Sequence, residues 1–95
     1  MVVGAPNKVR SPLFLEHRVY RRTNGEILLY VCFQNLKSGR FAVQQAEFMS
    51  ADSERVLSAQ VQVIELLEDT SPEERCRWFD TIEEAVAAHD SEFEN

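Results

Sequence analysis

A cysteine facing a histidine is the one arrangement in this chain that spacing alone brings within reach of nucleophilic chemistry. Two strand-like stretches flank Asn24-Gly25, the strongest short hairpin signal, and a two-residue turn there sets His17 opposite Cys32. An imidazole can activate a thiol as a nucleophile. No third residue is placed to orient the histidine, however, and no helix start is aimed at the thiol. A cysteine in mid-strand ordinarily behaves as a small buried hydrophobe. No catalytic residue is assigned: a non-enzymatic role ranks first, and a cysteine-dependent enzyme is kept as the third and last reading.

Cys32, Cys76, His17 and His89 are the right ligand types for zinc, but they form no CxxC, no HxxxH and no other short ligand spacing. No metal site and no cofactor are expected. The acids Glu65, Glu68 and Asp69, the pair Glu73-Glu74 and the pair Glu83-Glu84 fit helix surfaces and helix starts better than a shared cation. Gly25 and Gly39 are used by turns, so there is no phosphate loop. No serine sits in a nucleophile elbow.

The basic residues offer a second kind of chemistry. Arg18, Tyr20 and Arg22 alternate on one side of a strand, with Arg21 on the other. Cations interleaved with an aromatic can track phosphates and stack a base. With Lys37 and Arg40 they make a candidate anion-binding set: Arg18, Arg21, Arg22, Lys37 and Arg40. Charge is divided along the chain: residues 1–46 hold seven Lys/Arg and two acids, residues 47–95 three and fourteen, giving the net −6. The first reading is mutual neutralisation across the fold. A face for nucleic acid or another polyanion ranks below it, since the net charge opposes approach.

The elements that must position these residues form a single α+β domain. Ninety-five residues suffice for one core and not for two. Residues 1–12 read as a flexible arm, 13–90 as the domain and 91–95 as a frayed acidic tail. The fold is a three-stranded antiparallel meander followed by a long amphipathic helix, a short helix and a C-terminal helix. After the Asn24-Gly25 turn, the loop Lys37-Ser38-Gly39 is expected to pair Phe33 with Val43 and Asn35 with Phe41. That register puts Phe41 and Val43 on the face of Ile27, Leu29, Val31 and Phe33. Asp52 and its neighbours offer caps to a helix over 54–69 whose apolar arc includes Val56, Val63, Ile64 and Leu67. Ser71, Pro72 and Glu74 have the spacing of a capping box, and so do Thr81 and Glu84. Trp78 and Phe79 should seal an edge of the core.

The longest apolar run, Ile27 to Phe33, is far short of the roughly 20 residues that span a bilayer, so no membrane is expected. The first residues lack the apolar core of a secretory signal, and two cysteines need not pair, which suits the cytoplasm. The run itself is apolar on both faces, and the first helix can cover only one. The other face, with Val19, Leu28, Tyr30 and Cys32 beside Ala42 and Ala46, must be covered by the last helix or by another chain. The function expected from the sequence is therefore protein interaction, including a homodimer through that face.

Overall fold

The computed structural model describes residues 12–51 and 53–93; the arm expected over the first residues, the cap expected of Asp52 and the last two residues lie outside them. The order is β1 (Phe14–Thr23), β2 (Glu26–Asn35), β3 (Phe41–Met49), α1 (Ser53–Asp69), α2 (Pro72–Arg75) and α3 (Ile82–Phe93). The three strands form one antiparallel sheet in the order β1-β2-β3. This is the expected meander followed by three helices. α3 continues to Phe93, so the first residues of the expected tail are helical.

The first hairpin has the register read from Asn24-Gly25, with Thr23 opposite Glu26 and His17 opposite Cys32. Within the turn only Gly25 takes a positive φ, of 73°, so it is not a type I′ turn, which needs one at Asn24 as well.

The second hairpin corrects the sequence reading. Phe41 pairs with Gln34, Ala42 with Phe33 and Val43 with Cys32; a bulge then makes Gln44 the extra residue, and Gln45 pairs with Val31. The physical cause is Asn35. Its Oδ1 accepts from the backbone N–H groups of Lys37 at 2.8 Å and Ser38 at 3.2 Å, holding a four-residue loop rather than three. Gly39, at φ 77°, donates to the Asn35 carbonyl at 2.7 Å, and Asn35 donates to the Arg40 carbonyl at 2.9 Å. One extra loop residue turns Phe41 and Val43 over, away from Ile27 and Phe33. The bulge restores the expected pairing from Val31 onward.

The sheet is a middle layer. On one face Leu29, Val31 and Phe33 pack with Val63 of α1, joined by Phe14, Met49, Leu67 and Trp78. Trp78 stacks on Phe14 at 6.0 Å and seals that end, whereas Phe79, expected beside it, forms a backbone bridge with Phe41 at the β3 edge. On the other face Tyr30 and Cys32 pack with Val86 of α3, joined by Val19, Leu28, Val43, Ala46 and Ile82. Ile64, placed in the core by its helical-wheel position, is 56% exposed and lines an outer stripe with Leu57 and Val61. The apolar arc of α1 is broader than the strip of sheet it covers.

Side chains fix the helix ends. Arg75 donates to the carbonyls of Leu66 at 2.9 Å and Thr70 at 3.2 Å, and also to the Gln44 side chain. It thus ties the end of α1 to the bulge. Thr81 and Glu84 make the full reciprocal box: the Glu84 N–H donates to Thr81 Oγ1 at 3.1 Å, and the Thr81 N–H to Glu84 Oε1 at 3.2 Å. At α2, Ser71 Oγ accepts from the Glu73 N–H at 3.3 Å, with Pro72 in the first turn. The Glu73 carboxylate accepts from Asn35 Nδ2 at 2.8 Å, linking α2 to the sheet.

Candidate interaction site

Cys32 is fully buried, and burial pushes its thiol up to about 11. His17, its cross-strand partner, shares a hydrogen bond of 3.0 Å between Nε2 and Gln34 Oε1. A protonated, inaccessible sulfur is no nucleophile. Cys76 is partly buried beside Gln44 and also lies above its ordinary range through burial, with Arg75 opposing the shift. Among the described residues no three His, Cys, Asp or Glu side chains come together to hold a metal.

Of the face Val19, Leu28, Tyr30 and Cys32, Tyr30 and Cys32 are buried beneath α3, and Val19 and Leu28 pack at the margin. The last helix supplies the cover that the sequence demanded. Polar bonds hold it there. The Tyr30 hydroxyl donates to Asp90 Oδ1 at 2.7 Å, while Arg21 donates from Nε to the same hydroxyl at 3.0 Å and from a terminal nitrogen to Asp90 Oδ2 at 2.8 Å. The guanidinium also lies 5.7 Å from the Tyr30 ring centroid. Burial and the Asp90 carboxylate raise the Tyr30 phenol above its ordinary pKa, against the opposing pull of Arg21.

The five candidate anion-binding residues do not share a patch. Arg18 pairs with Glu16 at 2.8 Å, Arg21 with Asp90 at 2.8 Å and Arg40 with Asp80 at 3.3 Å. Arg18 and Arg22 lie on the α1 side of the sheet, Arg21 on the α3 side. Lys37 and Arg40 are at the β2–β3 loop, the opposite end of the sheet from Arg22.

The β1 side of the sheet is left open. α1 and α3 sit closest to β3, and β1 is the most exposed strand. Between β1 and α1 runs an apolar groove of about 260 Å³ walled by Ile27, Leu29, Val31, Met49, Val56 and Val63, with Arg18 and Tyr20 at its rim. Tyr20 is 59% exposed there.

The two sheet edges also differ. At β3, Phe41 exchanges both backbone bonds with Phe79 at 2.8 Å, and Arg55 donates to the Phe48 carbonyl at 2.5 Å. At β1, the Leu13 carbonyl accepts from Leu36 N–H across the hairpin, so odd-numbered residues turn their backbone groups toward β2. Phe14, Glu16, Arg18, Tyr20 and Arg22 consequently turn theirs outward, where no described residue meets them. An open ladder of this length is a ready template for another strand. Sequence reasoning looked to the face of the sheet and missed its edge. The available signal was Leu13, Leu15 and Tyr20 at the start of a first strand.

No protein-family model, no curated protein and no solved structure matches the chain.

Proposed function

We propose that the protein is a small non-enzymatic interaction domain whose working surface is the β1 side of the sheet, comprising its edge and the adjoining groove. One observation carries this reading. β1 leaves a run of backbone donors and acceptors open beside an apolar groove, while the β3 edge is capped near both ends. Free cysteines fit a reducing, cytoplasmic setting. Among the described residues, no helix is long and apolar enough to cross a membrane.

Binding of nucleic acid or another polyanion has less support, because Arg18, Arg21 and Arg40 each hold a carboxylate. The test is a photo-crosslinking amino acid placed at Tyr20, at Leu57 on the outer stripe of α1, or at Glu83 on α3. Crosslinking to a protein, self or other, is expected from position 20 in native extract. Adducts only from position 57 or 83, or only to nucleic acid, would overturn the reading.

A further inference from the structure

We infer that the occupant of the β1 edge is a second copy of this chain, joined antiparallel about a two-fold axis at His17 to make one six-stranded sheet. The inference deepens the reading above and rests on it. Its support is the self-complementarity of the strand.

A two-fold pairing of this edge places residues with a constant index sum opposite one another, and the outward residues Phe14, Glu16, Arg18 and Tyr20 must meet each other. With His17 on the axis, Glu16 faces Arg18 of the second copy, and Arg18 faces Glu16. Phe14 then faces Tyr20, and Tyr20 faces Phe14. Both pairs occur twice, on the side of the sheet that carries α1. On the α3 side the same register sets Leu15 opposite Val19, again twice. Exposed Leu15 and Tyr20 thereby gain apolar partners, and each glutamate, already paired with Arg18 of its own chain, gains a second arginine across the axis.

Neighbouring registers fit worse. An axis at Arg18 sets arginine against arginine, and an axis at Tyr20 sets Arg18 against Arg22 twice. An axis at Val19 pairs Glu16 with Arg22 but brings His17 against Arg21 and Leu15 against Thr23, wasting the apolar side chains. The capped β3 edge does not compete. The groove beside β1 then becomes a shared trough, since both copies carry α1 on the same side of the joined sheet. An edge contact alone is smaller than the roughly 800 Å² per partner of a standard interface, so a micromolar association is expected rather than a permanent one.

The test uses charge exchange in the full chain. Sedimentation and light scattering from about 10 µM to about 1 mM should show a concentration-dependent dimer. Concentration should also slow amide exchange at Glu16, Arg18 and Tyr20. E16R and R18E each turn both salt pairs into like-charge pairs and should weaken the dimer at least about tenfold. An equimolar mixture of the two variants should recover it, because opposite charges then meet across the copies, whereas the pair within each chain stays broken. Circular dichroism checks that each variant is folded.

A strict monomer at every concentration would overturn the second copy as occupant. So would a dimer indifferent to E16R and R18E, a mixture no tighter than its components, or exchange protection confined to Leu57, Val61 and Ile64. Crosslinks from position 20 to a different protein would then leave the β1 surface standing without self-association. Their absence would remove both.

Discussion

The Tyr30 hydroxyl lies 2.7 Å from Asp90 Oδ1, bridging the buried middle strand to the last helix. Arg21 closes the triangle from the edge strand, so the first hairpin and the distant last helix share one polar junction. Tyr30→Phe removes the donor to Asp90 and the acceptor for Arg21 while keeping the ring. It should cost about 1–2 kcal/mol in urea unfolding. Asp90→Asn should cost less, and the double variant less than the sum, since the residues act on one another directly. Additive losses would show that α3 is held by its apolar face alone.

Thiol labelling distinguishes the two cysteines. Cys76 should react with a maleimide in the folded protein, and fully buried Cys32 only after opening or unfolding. Alkali should act through Cys32 as well. Its proton is held more tightly in the folded chain, so its stabilising contribution is complete below about 9 and lost as pH rises toward about 11. Tyr30 is shifted upward too and adds to the decline. Urea midpoints taken over this range should fall, and fall less steeply in Cys32→Ala.

Asn35 deserves a pair of substitutions. Asn35→Ala strips the loop of the acceptor for Lys37 and Ser38 and frees Glu73, and should destabilise by about 2 kcal/mol. Asn35→Asp retains the acceptor oxygen yet sets a second carboxylate against Glu73. Chemical denaturation of Asn35→Asp combined with Glu73→Gln should recover part of the loss. No recovery would mean that the loop contacts alone account for the effect of Asn35.

The Thr81–Glu84 box should be worth about 1 kcal/mol, read from the thermal or urea transition of Thr81→Ala. Thr81→Ser should lose only a fraction of that, because the capping oxygen survives.

Local chemistry was legible in the sequence, and tertiary choice was not. Asn24-Gly25 gave the first register because a two-residue loop leaves no slack, and Thr81 with Glu84 gave a helix start by spacing alone. Phe41 and Val43 were placed on the wrong side because the second loop length depends on a side chain, Asn35, acting from inside a strand. Ile64 was misplaced because hydropathy reports that a residue is apolar, not how much sheet lies beneath it. The working surface was harder still. An open edge is a property of neighbours that do not arrive, and residues 14–22 look the same whether a strand pairs beside them or not.

The bulge at Gln44 makes the two ends of the second hairpin independent in phase. Near the loop, β3 follows the loop's count; beyond Gln45, it follows the count that the sheet needs. The structure therefore works like a vernier, absorbing a one-residue mismatch where it does least harm. A single insertion or deletion in residues 36–39 could be taken up by relocating or erasing the bulge, with Phe41 and Val43 changing sides while Gln45 to Met49 stay in place. For this hairpin, a change of loop length exchanges the residues feeding the two cores.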